Sequence, residues 1–338
     1  MMSEPSIVCF TVMKNEGPFI IEWVAYQRLI GVNKVIVLSN DSDDGTDDIL
    51  NRLDDLGYVR HLPNPSMMST RFIRKQKHPH IVGFNYATLT REWKEADYVL
   101  MCDVDEFPVI KVGDGSLHAL LKKTEFPDVI SMNTALYGVG GNVTYKDELI
   151  TKNFNFRTPH RPGEKKSGSE VKSLTRNDPD MFRVANHRPM VLEENDKPIR
   201  WVDGAGNDFS HEFLKSHEKR ADFRGRDSLA VVNHYSLRSV ESFLVKSERG
   251  DAVMANRDID HRYFNTRNRN HDENKDIHRM LPQLEALIAE LKTDAQLAGF
   301  HDASVVKHQA KIEKLKSSSL YENLCRIVGV RVEGGQGN

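Results

Sequence analysis

The chain has 338 residues, 39% of them hydrophobic and 28% charged, which is enough for one large α/β domain or two modest ones with a real core. Lysine and arginine total 47 against 49 aspartate and glutamate, so no global basic field points to nucleic acid and no polybasic tail to anionic lipid. Cys9, Cys102 and Cys325 are far apart and form no C-x-x-C pair, and Met1 to Pro5 lacks a basic region followed by a long apolar run. A reducing, cytoplasmic setting is therefore the expectation, with peripheral attachment to the inner face of a membrane left open.

The first apolar run, Ile7 to Met13, is rich in β-formers and stops at Lys14-Asn15-Glu16-Gly17-Pro18, so it reads as a buried strand. Phe19, Trp23, Tyr26 and Leu29/Ile30 recur at helical spacing up to Gly31, and a second strand, Lys34 to Ser39, follows. Strand, helix and strand in this order make a βαβ unit with a right-handed crossover, in which ligands collect at the carboxyl ends of the strands. The second strand runs into the polar turn Asn40 to Thr46, which caps a helix over Asp47 to Leu56. A strand at Val59 to Leu62, a helix at Phe84 to Lys94 and a central strand at Tyr98 to Cys102 come next.

Strands are also expected at Val129 to Asn133 and Ala230 to His234. The polar stretch between them, Thr151 to Phe209, is too long for a structureless loop and is expected to hold short strands and the acceptor side. Helical spacing returns at Ser239 to Arg249 and at Ile277 to Leu297, with Pro282 able to move the start, and again at Lys307 to Val328. The division expected is a catalytic domain over residues 1–255 and a helical extension over 256–338. No internal repeat is present.

Asp103-Val104-Asp105-Glu106 places three carboxylates directly after an apolar strand, and their repulsion needs an opposing charge. Hard divalent cations prefer oxygen, and a diphosphate supplies further oxygens, so Asp-x-Asp here suits manganese or magnesium bridging to a nucleotide-sugar. In an extended segment Asp103 and Asp105 share one side, Val104 faces the core and Glu106 turns away. Asn15, Glu16, Asn40 and Asp43 open onto the same crevice as candidates for reading base and ribose, although Asn and Asp are also ordinary turn residues. There is no Gly-x-Gly-x-x-Gly and no Walker lysine loop, which disfavours dehydrogenase and kinase chemistry.

Lys14-Asn15-Glu16, Glu22-Trp23, Gly31-Val32, Gln76, Asn85-Tyr86, Asp103 to Phe107, Lys172-Ser173, His187-Arg188-Pro189, Asn233-His234-Tyr235 and Arg238-Ser239 together resemble glycosyltransferase family 2-like and family 92-like proteins of the GT-A fold. The resemblance implies a Rossmann-like α/β fold with a mixed, mainly parallel sheet and C-terminal helices. It implies transfer of a sugar from a nucleotide donor, often a UDP-sugar, to a glycan or lipid-linked acceptor, with Asp103 toward the donor and Asp105 the main metal ligand. Gln76 belongs to the donor side in this reading, and His234 completes the metal or diphosphate site. Leu136 to Gly141 departs from the usual acceptor-side pattern.

Lys172, Arg238 and Lys246 are candidate cations for the departing diphosphate. Asp208 is the candidate base, with Asp203 and Glu170 close alternatives, and His187 and His211 are weaker site candidates. Tyr137, Tyr145 and Trp201 could stack on sugars or pack in the core. A nucleotidyltransferase or metal-dependent phosphohydrolase would also use paired aspartates after a strand, and a non-catalytic glycan-binding protein could keep the fold. The helical extension is compatible with oligomer formation.

Overall fold

The computed structural model describes residues 4–63, 79–158, 169–210, 213–214, 220–221, 226–250 and 259–330. Gln76 and His211 lie outside them. Among the described residues the strands are β1 (Ile7–Met13), β2 (Lys34–Ser39), β3 (Val59–Pro63), β4 (Tyr98–Met101), β5 (Glu106–Ile110), β6 (Val129–Leu136), β7 (Phe156–Arg157), β8 (Ser169–Arg176), β9 (Phe182–Arg183), β10 (Met190–Val191), β11 (Trp201–Asp203), β12 (Arg220–Ala221), β13 (Ala230–His234) and β14 (Asp272–Glu273). The main sheet runs β3-β2-β1-β4-β8-β6-β13-β5, with β11 added to β6 and β12 to β8.

Parallel pairing links β1 to β2 and β4, and β6 to β11 and β13, whereas β8 and β5 run the other way. The sheet is therefore the mixed, mainly parallel α/β type expected. Two reversals place the carboxyl ends of β1, β2, β4, β6 and β13 along one edge together with the start of β5.

β1 is buried throughout. Its alternation sends Ile7, Cys9 and Met13 into a layer with Trp23, Val24 and Tyr26, and Val8, Phe10 and Val12 into a layer with Ile36, Val99 and Trp93. The helix Ile20–Leu29 is tied to β5 through its own side chains: Trp23 Nε1 donates to the Glu106 carbonyl at 3.0 Å and the Tyr26 hydroxyl to that of Pro108 at 2.9 Å.

Three expected helices are divided, Lys307 to Val328 among them, which breaks between Leu315 and Ser319. Phe84 to Lys94 becomes Pro79–Ala87 and Arg91–Lys94, because Thr90 turns the chain and caps the second piece at the Trp93 N–H. Ile277 to Leu297 becomes a 3-10 turn at Asp276–Met280 and a helix at Leu281–Leu291 that takes Pro282 in its first turn. Asp294 then caps the 21-residue helix Ala295–Leu315, and Ser318 caps Ser319–Ile327. Ile277, Leu284, Leu291, Leu297, Val305 and Ile312 from this C-terminal part join the same core as β1.

Candidate active site

The acidic segment after β4 is a turn rather than an extended run, since the Glu106 N–H donates to the Asp103 carbonyl at 2.9 Å. The turn corrects one expectation: Glu106 points inward at 2% exposure, and its carboxylate accepts the Asp103 N–H at 2.9 Å. Val104 is buried as expected. The Tyr235 N–H donates to the Asp105 carbonyl at 2.8 Å, which stitches the turn to the end of β13.

His234 therefore stands beside both inner carboxylates, its Nε2 3.5 Å from Asp105 Oδ1 and its Nδ1 3.8 Å from Glu106 Oε1. Lys246, from the helix Val240–Arg249, donates to Asp105 Oδ2 at 2.7 Å and to the Ser236 carbonyl at 2.9 Å. Burial alone would raise the Asp105 carboxyl, but the Lys246 ammonium and His234 outweigh it and hold the group well below the usual carboxylate range.

Lys172 does not reach out as a diphosphate ligand. It is fully buried, level with the end of β4, and its ammonium contacts Asp103 at 3.0 Å, Glu106 at 2.8 Å and Asn186 at 2.8 Å. An ammonium has three N–H donors, and these partners use all of them. Burial would depress its pKa, yet Asp103 and Glu106 raise it, so the lysine stays charged as an internal clamp. Asn186 is a partner that sequence spacing did not reveal, because it arrives from a loop 14 residues further on.

Glu16 is likewise engaged from within. Arg238 contacts it at 2.8 Å, and Arg249 takes its other oxygen. These two arginines outweigh burial and hold its carboxyl below the usual range. Its role is thus to anchor the end of β13 and the helix that follows, while Arg238 also stacks on the Phe19 ring at 3.6 Å.

Asn15 adopts a positive φ of 51° and accepts the Asp43 N–H at 2.8 Å, which locks together the loops after β1 and β2. Asn40 is buried, with its N–H on the Met13 carbonyl at 2.9 Å, and the Asp43 side chain is exposed.

Asp208 is not gathered with these groups, which corrects its assignment as base. It bridges to Val202 of β11, is 75% exposed and lies 3.8 Å from Arg200, whose guanidinium reaches the Thr124 carbonyl near the opposite, amino end of β6. The chain turns back after β11, and that turn carries Asp208 away from the carboxyl edge. Asp203 is buried and accepts the Ala205 and Asn207 N–H groups at 2.8 and 3.0 Å, so it builds the turn. His187 sits against the Val171 carbonyl at 3.2 Å. Trp201 and Tyr137 are core residues, with Tyr137 packed against Tyr235 at 4.6 Å between ring centroids.

Asp105 Oδ1 and His234 Nε2 are the pair able to share a divalent cation, because Lys246 occupies the other Asp105 oxygen. Among the described residues no group of three or more His, Cys, Asp or Glu side chains could hold a metal alone. A cation here would draw its remaining ligands from a diphosphate, as magnesium-type sites with one or two protein ligands do. The oxygen ligands, from Asp105 and a diphosphate, are the ones that suit magnesium or manganese.

The carboxylate-histidine pair and the buried cations thus stand at the carboxyl edge of an α/β sheet, where ligands of such sheets collect. The family follows from the sequence: residues 4–198 match the profile of glycosyltransferase family 92, and the chain belongs to that family. A family 92 glycosyltransferase protein of Oryza sativa subsp. japonica is 27% identical over 188 residues, covering 53% of this chain and 29% of that protein. One from Arabidopsis thaliana is 32% identical over 100 residues, covering 30% of this chain and 16% of its own length. The chain thus spans less than a third of the curated relatives it matches. Among solved structures it is similar to S. aureus TarS 1-349 in complex with UDP, at a TM-score of 0.30 and 16% identity over 51% of this chain and 47% of that one.

Proposed function

We propose that this chain transfers a glycosyl group from a nucleotide-sugar, most simply a UDP-sugar, to a glycan or lipid-linked acceptor with the help of manganese or magnesium. Family 92 membership supports glycosyl transfer, and the convergence of Asp105 and His234 at 3.5 Å is the single observation that supports the metal-bridged donor.

The cation would be held by Asp105 and His234, and when bound it supplies positive charge to the departing diphosphate. Lys246 has two of its three donors committed, to Asp105 and Ser236, so one N–H remains for a phosphate oxygen. Lys172 holds Asp103 and Glu106 in place, which keeps the turn from rearranging as charge develops, in line with the value of preorganised dipoles and charges. The Glu16 pairs with Arg238 and Arg249 fix the Val240–Arg249 helix that carries Lys246.

The test is product analysis with purified protein and a panel of nucleotide-sugars. Release of UDP from a UDP-sugar, dependent on manganese and lost in Asp105→Asn, is the expected result. Release of diphosphate from UTP instead would identify a nucleotidyltransferase, and neither product would leave only binding.

A further inference from the structure

The loops that carry Asn15 and Asp43 do not close their crevice alone. A cavity of about 140 Å³ is lined by Asn15, Asp43, Asp44 and Val245 on one side and by Lys307, His308 and Lys311 of the Ala295–Leu315 helix on the other. This helix lies outside residues 4–198, the part that matches family 92. Its buried stripe is half polar, with His301, Ser304 and His308 alternating with Leu297, Val305 and Ile312.

A helix that served only to cover the core would fill that stripe with apolar side chains. Here His308 is 4% exposed, and its Nε2 meets no hydrogen-bond partner among the described residues. Lys307 is exposed, with no ion pair or hydrogen bond among the described residues. Its ammonium stands over the loop after β2, where a Cβ placed on Gly45 would lie 3.8 Å from Nζ. Lys311 spans the mouth, 2.9 Å from Glu248 and 3.9 Å from Asp43. Hydrogen-bond donors from one element therefore face acceptors from another across open space, the composition of a polar ligand site.

We propose that the C-terminal helix forms the outer wall of the donor pocket, with Lys307 and Lys311 contacting the nucleoside diphosphate portion of the donor. This rests on the nucleotide-sugar reading above and extends it to residues outside the family match. The two loops line the cavity with amide and carboxylate groups, and the helix lines it with cations. Arg52 and Asp294, paired at 2.6 Å, hold the start of the helix against the Thr46–Asp55 helix, so the wall is part of the folded domain.

The experiment is calorimetric titration of the full chain with UDP and manganese, comparing wild type, the double variant Lys307→Ala/Lys311→Ala, and Lys314→Ala on the exposed side of the same helix. Melting curves establish that all three are folded. The expected result is about a tenfold or greater rise in Kd for the double variant, as for loss of charge-assisted contacts, and no change for Lys314→Ala. Amine acylation adds a second readout, with Lys307 and Lys311 protected by UDP and Lys314 not. Wild type that binds UDP while the double variant binds within about twofold of it, with no protection, would overturn this inference and leave the nucleotide reading standing. Failure of wild type to bind UDP or any other nucleoside diphosphate would overturn both.

Discussion

Acidification from about pH 7.5 to about pH 5 should cost the wild-type fold about 2 kcal/mol through His308 alone. The ring is 4% exposed and packs edge-on against Phe19 and Tyr145, at 5.6 and 4.6 Å between centroids. Burial, reinforced by the Arg238 charge, lowers its pKa from 6.5 to about 3; Arg249 and Lys311 act in the same direction and Glu16 opposes them. Asp43 and Asp44 face it across the cavity, and Lys307 lines the same wall beside it. Below about pH 6.5 the unfolded chain takes up a proton that the folded chain refuses, so stability falls as pH falls, down to about pH 3 where the folded ring protonates. At about pH 5 the gap is roughly one and a half pKa units at about 1.36 kcal/mol each, which gives the figure of about 2 kcal/mol. Urea denaturation at the two pH values, on wild type and on His308→Gln, isolates this contribution from the other titrating groups. The variant should lose about 2 kcal/mol less than wild type over the interval, and equal losses would refute the account of a neutral, buried imidazole.

Lys172→Met should destabilise the protein by about 3–5 kcal/mol, because it strands Asp103 and Glu106 without their shared ammonium. Adding Glu106→Gln should recover part of that loss in the same denaturation assay, and an additive double variant would argue against the clamp. Gly204→Ala places a Cβ 2.3 Å from the Ala230 carbonyl oxygen and 3.0 Å from that of Arg226. Backbone must shift to admit it, so a loss of about 1–3 kcal/mol is expected from thermal unfolding, and an unchanged midpoint would contradict the close approach of the turn after β11 to the start of β13.

The strands with apolar runs, β1, β2, β4 and β13, were legible because burial on both faces leaves its mark in consecutive Val, Ile, Leu and Phe. β8 was not, although it lies between β4 and β6, because Glu170, Lys172, Ser173 and Thr175 give it the look of a loop. Its polar groups are satisfied by residues far along the chain, as Lys172 is by Asp103 and Glu106 and Ser173 by the His187 carbonyl. β5 was hidden by Pro108, which a strand tolerates here because β5 ends the sheet path among the described residues.

The same division runs through the site. The position of Asp103 to Glu106 at a strand end could be read locally, and the structure brings Asp105, His234 and Lys246 together. The inward turn of Glu106 and the full internal use of Lys172 depend on β8 arriving alongside, which no local pattern records. Asp208 was misplaced because the return of a chain after a short strand is set by tertiary packing. His308 and Lys311 were overlooked within a tail read for apolar spacing; the recurrence of His301, Ser304 and His308 along one stripe was the available signal.

Manganese affinity, measured by electron paramagnetic resonance with and without UDP on wild type and Asp105→Asn, tests the central claim most directly. With Asp105 and His234 as its protein ligands, the cation should bind weakly alone and much more tightly once UDP supplies phosphate oxygens, and Asp105→Asn should lose that gain. Manganese that binds equally well without UDP, or that is retained with UDP in Asp105→Asn, would contradict a donor site built on this pair.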